Sequence, residues 1–327
     1  MLRVLGGLVL PLVGAAALPF TAHAEEPIAT FSIVGYDPAT GELGVAVQSK
    51  FFAVGAVVPW AKAGVGAVAT QAFGNTTYGP RGLALLESGK PARDVVEELT
   101  STDEGRDRRQ LGIVDARGNA HAFTGAECQP WAGHEVGPNF AAQGNILVSE
   151  ATVAAMANAF RDTPGMLGER LMRALEAGQE AGGDSRGVQS AAILIVKEGG
   201  GYAGFNDRYC DLRVDDHVAP IAELRRIFDL WKIQALVLEL YRHVEAGAFD
   251  DAIARGREAI TLDPGAGETW FHLACAQSRA GRSPEALASL ARAIELDGSL
   301  AKRALTDTDL TPLEGDAKFR ELTQAAQ

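Results

Sequence analysis

The sequence predicts an α+β domain of stacked sheets covered by helices, followed by an all-α region. Three observations carry this. Between Thr30 and Val214, short Val- and Ala-rich runs bounded by Gly and Pro are interrupted twice by paired amphipathic stretches. From about Pro220 the composition becomes continuously helical, and from Ile233 onward a 34-residue spacing recurs. At 327 residues the chain exceeds the roughly 100–200 residues of one ordinary domain, and 47% hydrophobic content is enough for two cores.

Thr30 to Gln71 opens the first region with four short apolar runs. Asp37-Pro38-Ala39-Thr40-Gly41 is a turn between the first two, because Pro sets φ and Gly accepts φ > 0. A loop rich in turn formers, Gly74 to Gly82, precedes a helix beginning near Leu83 and stopped at Gly89-Lys90-Pro91. A second helix runs from Pro91 to about Leu99, with Pro at its start and Asp94 in its first turn. The mixed charge run Thr102 to Arg109 reads as a solvated face. Gln110–Asp115 and His121–Thr124 flank a turn and form a hairpin, and Phe140–Val148 carries a further strand. Ser149 caps a helix to about Arg161, and another covers Met166 to Ala181. Strands return at Gln189–Val196, near Tyr202–Phe205 and at Leu212–Val214. Helices that arrive in pairs suit stacked sheets with outer helices better than a parallel βαβ sheet.

Residues 1–24 have the pattern of an export signal. Arg3 supplies the positive end, Leu5–Phe20 is almost wholly apolar, and Ala22-His23-Ala24 is a small-residue cleavage site. The apolar stretch is shorter than the roughly 20 residues of a comfortable membrane span. The expected location is therefore periplasmic or secreted, with no membrane span after cleavage. A net charge of −12 argues against nucleic-acid partners, which need a basic patch. No nucleotide-binding glycine motif and no zinc-type Cys/His spacing is present, so no cofactor is implied. Of the three cysteines, Cys128 and Cys210 fall in one domain and could pair, and the odd count leaves at least one free thiol with Cys275.

In the C-terminal region Ala246-Gly247 recurs as Ala280-Gly281, Ala259-Ile260 as Ala293-Ile294, and Leu262-Asp263 as Leu296-Asp297. This period and its small residues resemble tetratricopeptide (TPR) repeats, which stack helix pairs. The resemblance gives two repeats over residues 233–327 and a terminal segment that caps them. Such arrays present a concave surface to a protein partner, with Trp270, Phe271 and His272 placed either on it or in the core. The array is expected to pack on the first domain through the helix near Glu223–Lys232.

The first region carries Thr30-Phe31-Ser32-Ile33, then Asp37 to Val47, Ser49 to Gly55, Gln143-Gly144-Asn145, Gly182 to Ala191 and Asp211 to His217. In this order the blocks resemble an uncharacterised bacterial family, a domain of unknown function, within the N-terminal nucleophile (Ntn) hydrolase clan. The resemblance covers about residues 29–232. It implies a four-layer αββα sandwich and amide-bond hydrolysis by a mature amino-terminal threonine, here Thr30. A terminal threonine carries its own base, since an α-amine titrates near about 7.7–8.0 and can accept the hydroxyl proton. A lysine ammonium nearby would favour the free amine. Lys62 lies at a separation from Thr30 similar to that in proteasome-type members, and Lys50 is the alternative. Ser49, Gln143, Asn145, Asp184, Arg186, Gln189 and Ser190 are candidate supporting residues, with Ser190 or backbone amides near Asp184 as oxyanion donors.

Two departures bear on that reading. The proteasome-type acid on the second strand is replaced by Ala46 and Val47, then Gln48 and Ser49. Cleavage after Ala24 leaves five residues, Glu25 to Ala29, ahead of Thr30, so the Ala29–Thr30 bond must be cut in a further step. Asp211, Asp215, Asp216 and His217 could ligate a divalent cation, or Asp211, Arg213 and Asp215 could alternate on one face of a strand as an ion-pair ladder. Three functional readings follow: a hydrolase of a peptide or amidated small molecule through Thr30; a silent sandwich that binds a ligand while the repeats dock a partner; and a scaffold in which the repeats alone matter. A homo-oligomer is compatible with each.

Overall fold

The computed structural model describes residues 30–324. The export segment at 1–24 lies outside the described residues. None of the described helices is long and apolar enough to cross a membrane.

The opening stretch forms β1 (Thr30–Tyr36), β2 (Leu43–Ser49), β3 (Pro59–Lys62) and β4 (Gly66–Ala72). Helices α1 (Tyr78–Glu87) and α2 (Ala92–Ser101) follow, then β5 (Arg109–Asp115), β6 (Ala120–Thr124), β7 (Gly133–Gly137) and β8 (Phe140–Asn145). Next come α3 (Ala151–Asp162), α4 (Leu167–Glu180), β9 (Ser190–Val196) and β10 (Arg208–Val214). Two antiparallel sheets result, one of six strands in the order β10-β9-β2-β1-β8-β7 and one of four in the order β3-β4-β5-β6. Two sequence expectations differ. Tyr202–Gly204 is a 3-10 turn, since Gly199, Ala203 and Gly204 take left-handed φ that no strand permits. β7 was not anticipated because its two glycines mask the alternation.

Strand periodicity sorts the side chains into layers. Phe31 and Ile33 of β1 point outward and pack with Met156, Phe160, Leu171 and Leu175 of α3 and α4. Val34, with Val45, Val47, Ala67, Ala69 and Val114, points inward and packs the sheets face to face. On the far side of the four-stranded sheet, Val95 and Leu99 of α2 cover Val68, Leu111 and Ile113.

The charge run expected to be a solvated face is partly buried. The Asp103 carboxylate is 12% exposed and accepts from Asn75 Nδ2 (3.1 Å), Tyr78 OH (2.8 Å), Arg109 Nε (3.0 Å) and the Gly105 N–H (2.8 Å). Burial alone would push its pKa up; the four donors outweigh it and hold the carboxyl well below its usual range. A depressed folded pKa gives stability that is complete above the unfolded value near about 3.9 and lost as pH falls through the folded one. Asp103→Asn is therefore expected to lower the urea midpoint at pH 7 by roughly 2–4 kcal/mol equivalent. It should also flatten the wild-type loss of stability below about pH 4. An unchanged midpoint, or an unchanged acid slope, would contradict this.

The C-terminal region is helical: α5 (Pro220–Glu245), α6 (Phe249–Leu262), α7 (Gly267–Arg279), α8 (Ser283–Leu296), α9 (Leu300–Ala304) and α10 (Ala317–Gln324). The expected boundary at 232/233 falls inside α5, because no helix breaker stands between Pro220 and Gly247. The first half of α5 buries Leu224 and Phe228 against the outer face of the six-stranded sheet. Its second half buries Leu240 and Val244 with Ile253 and Leu273. One helix thus joins both cores. The repeat spacing has a backbone counterpart: Gly247 (φ 74°) and Gly281 (φ 73°), 34 positions apart, make the same left-handed turn between helices. Phe271 is wholly buried and Trp270 Nε1 donates to Pro264 O, so these aromatics serve the helix core. The three cysteines are free; the Cys128–Cys210 pairing does not occur, with Cys128 Sγ instead donating to Arg109 O.

Candidate functional site

The inward-facing columns of both sheets change character along their length. On β1 the column runs Val34, Ser32, Thr30; on β2, Val45, Val47, Ser49; on β8, Ala141, Gln143, Asn145. On β4 it runs Ala67, Ala69, Gln71, and on β5 it ends at Gln110. Every column turns polar at one end of the sandwich. Thr30 pairs with Ser49 on one side and Asn145 on the other, so β1 places it in the middle of this polar end.

The polar groups bond mostly to one another, although Gln143 Oε1 is buried without a hydrogen-bond partner. Thr30 Oγ1 donates to Ser49 Oγ at 3.2 Å. Gln71 Nε2, from the opposite sheet, donates to the Thr30 carbonyl (3.2 Å) and to Gln110 Oε1 (2.8 Å), with a longer contact to Gln143 O (3.4 Å). Ser32 Oγ donates to Gln71 Oε1 and accepts from Gln143 Nε2, both at 2.6 Å. Asn145 Nδ2 donates to Gln110 Oε1 (3.0 Å), while Gln110 Nε2 reaches Gly144 O, Gly133 O and Thr124 Oγ1. Thr124 Oγ1 in turn meets His134 Nδ1 at 2.9 Å. Thr30, Ser32, Ser49, Gln71, Gln110 and Gln143 have no exposed surface. Burying so many polar groups where apolar packing would serve is stabilising only while the network stays complete.

Strained backbone surrounds the same end. Ala53 (φ 52°), Ala72 (φ 65°) and Ile146 (φ 53°) are left-handed without being glycine, and a β-branched residue there is a genuine outlier. Ala72 follows Gln71, and Ile146 follows Asn145. Strain of about 1–3 kcal/mol per residue persists where neighbours over-determine the geometry, which is common at functional sites.

The loops close the end. Asp184, whose side chain is wholly buried, accepts from the Lys50 N–H (3.0 Å) and the Arg186 N–H (2.9 Å) and pairs with the Arg186 guanidinium (3.2 Å). Arg186 Nη2 also donates to Lys50 O, and Lys50 Nζ reaches Val188 O. The Ser190 hydroxyl accepts from the Val54 N–H (3.1 Å) and donates to Phe51 O (2.5 Å). It therefore fixes the 51–54 loop and is not poised as an oxyanion donor. A cleft of 370 Å³ opens beside Lys50, lined by Val188, Gln189, Asp216 and His217. A 640 Å³ cavity between α4 and α5 does not include Thr30 in its wall.

Lys62 is not brought to Thr30. It pairs with Gly66, whereas Gln71, five residues along the same strand, meets the Thr30 carbonyl. At roughly 3.3 Å per residue the two lie about 16 Å apart along β4. Lys62 instead forms a solvent-exposed ion pair with Glu87. Sequence separation suggested Lys62, but the β3–β4 hairpin carries it to the opposite end. The four weak metal candidates do not converge either. Asp211 is held by Arg208 and Arg213, Gln189 donates to Asp216, and His217 Nδ1 accepts the Ala219 N–H. Of the expected Asp211/Arg213/Asp215 ladder, the Asp211–Arg213 pair is present on β10, while Asp215 lies just past the end of the strand.

Ser32, Gln71, Gln110, Thr124 and His134 belong to the site although the sequence reading did not single them out. Their signal was the period of two: each lies on the inward face of its strand, polar where the next inward residues are apolar.

A family model described as "Family of unknown function (DUF1028)" matches residues 30–224. The crystal structure of protein SPO2555 from Silicibacter pomeroyi, assigned to the same family model, superposes with a TM-score of 0.56 at 35% identity, covering 61% of this chain and 84% of that one. No curated protein matches the chain.

Proposed function

Because the chain belongs to the DUF1028 family, whose function is unknown, we propose that its first domain is an Ntn-hydrolase-type αββα sandwich in which Thr30 is the nucleophile. The observation that carries this reading is the position of Thr30. It stands at the start of the central strand β1, at the polar end of the inter-sheet layer, with its carbonyl held from the opposite sheet by Gln71. Cleavage of the Ala29–Thr30 bond in the exported protein would give Thr30 a free α-amine. That amine takes the Oγ1 proton as Oγ1 attacks the carbonyl of an amide substrate. The leaving amine departs with a proton, and water then hydrolyses the ester on Thr30, returning the hydroxyl. Lys50, directly after Ser49, is the lysine at this end and takes the role first assigned to Lys62. The substrate class is a peptide or an amidated small molecule, and the paired helices α5/α6 and α7/α8 are read as TPR repeats that dock a protein partner.

A second reading is favoured by the complete burial of Thr30. In it the sandwich is catalytically silent, binds a ligand, and uses the polar network only as structure. Amino-terminal sequencing of the exported protein separates the two. Active, mature material that begins at Thr30 supports the hydrolase; active material that begins uniformly at Glu25 refutes it.

A further inference from the structure

A 330 Å³ pocket lies where the sandwich meets the helical region, built from the β1–β2 turn, the start of α4, α5 and α6. This volume is at the lower end of the roughly 300–1,000 Å³ typical of ligand sites. Five carboxylates face it, from Asp37, Glu42, Glu169, Glu239 and Glu258, against two cations, Lys232 and Arg255.

The two cations are already engaged. Lys232 lies between Glu169 (3.7 Å) and Glu258 (3.4 Å), and Arg255 pairs with Glu258 (2.9 Å) and more distantly with Glu239 (3.7 Å). Glu42 is different. It is 2% exposed; its Oε1 is held by Lys197 Nζ at 3.1 Å, but its Oε2 has no hydrogen-bond partner. Leaving a buried carboxylate oxygen unpaired is costly, so the wall contains an acceptor that lacks a donor. Burial, together with the charges of Asp37 and Glu239, acts to raise the pKa of Glu42 against the pull of Lys197. A cation placed in the pocket would relieve these effects together.

The form of that cation follows from the spread of the acids. Among the described residues, the one group of three potential metal ligands whose ligand atoms lie within 4.8 Å of one another is Cys275, Asp307 and Asp309, elsewhere in the fold. The pocket carboxylates are therefore too dispersed to coordinate a single bare ion. An extended cation with separated charges and several N–H donors meets them instead.

We propose that this pocket binds a small aliphatic di- or polyamine, with one ammonium group donating to Glu42 Oε2 and a second charge facing Asp37 or Glu239. The site requires both regions of the chain, since Glu42 comes from the sandwich and Glu239 and Glu258 from the helices. It is independent of the chemistry at Thr30.

Titration calorimetry of the full mature chain with spermidine, at low ionic strength, tests the proposal. Saturable one-site binding is expected, weakened roughly ten- to a hundredfold by Glu42→Gln. Because Glu42→Gln also disturbs the Lys197 pair, Glu239→Gln serves as a second variant on a more exposed wall and should weaken binding as well. N-acetylated spermidine, which has lost one charge, should bind less tightly than spermidine. Absence of saturable binding, equal affinity in wild type and both variants, equal effect of sodium chloride at matched ionic strength, or tighter binding of magnesium than of spermidine would each overturn the proposal.

Discussion

In a chain that begins at position 30, replacing Thr30 with Ala abolishes acylation by an electrophilic β-lactone, whereas the unsubstituted chain gains one adduct per molecule at Thr30. Such a probe needs no knowledge of the natural substrate, and intact mass locates the adduct. The expected fall in labelling rate is about a thousandfold or more, the scale on which removal of a nucleophile is felt. Thr30→Ser keeps the hydroxyl and should keep measurable labelling. Lys62→Ala should label like wild type, because its exposed pair with Glu87 stands at the other end of β4. Loss of the Oγ1–Ser49 hydrogen bond costs about 1 kcal/mol, and a Thr30→Ala chain whose denaturation stays cooperative makes the comparison fair. Equal labelling of Thr30→Ala and wild type would remove the nucleophile from the proposal.

Gln71→Glu is expected to destabilise the fold by about 2–4 kcal/mol, read as a shift of the denaturant midpoint at pH 7. The amide nitrogen of Gln71 faces three acceptors: the Thr30 carbonyl, Gln110 Oε1 and Gln143 O. A carboxylate has no proton to give any of them and would be wholly buried beside them. Gln71→Leu removes both functions of the amide, takes the acceptor from Ser32 Oγ and leaves Gln110 Oε1 with Asn145 as its donor, so a loss of the same order follows. A midpoint within about 0.5 kcal/mol of wild type in both variants would mean that the network contributes nothing. Gln71 is a positioning residue, because it holds the carbonyl of Thr30 and not its hydroxyl. Its variants should therefore slow acylation of Thr30 without moving the site of the adduct.

Much of this architecture was legible residue by residue. The Asp37–Gly41 turn set β1 against β2, and Gly41 takes the left-handed φ that such a turn demands. Paired amphipathic stretches placed α1/α2 and α3/α4 to within a few residues, apart from the early start of α1 at Tyr78. The 34-residue spacing reappeared as two equivalent left-handed glycines. The candidate site was legible only in part. Thr30, Ser49, Gln143 and Asn145 were found because they fall in the sequence blocks that carry the family resemblance, and the structure then places them side by side in one sheet. Gln71 and Gln110 were missed because they reach the site across the gap between sheets, and no local pattern reports which face of one sheet meets which face of another.

The sequence by itself determined the alternation of strands and helix pairs, the turn chemistry, and the repeat period. These depend on interactions within a few residues or on one strand's period of two, so they can be read locally. The tertiary structure alone decided that Lys62 and Thr30 stand at opposite ends, that α5 is one helix shared by two cores, and that Glu42 meets Glu239 across a pocket. Each of these is a matter of how separately legible elements are packed, and packing is set by the sum of many weak, non-directional contacts between distant segments.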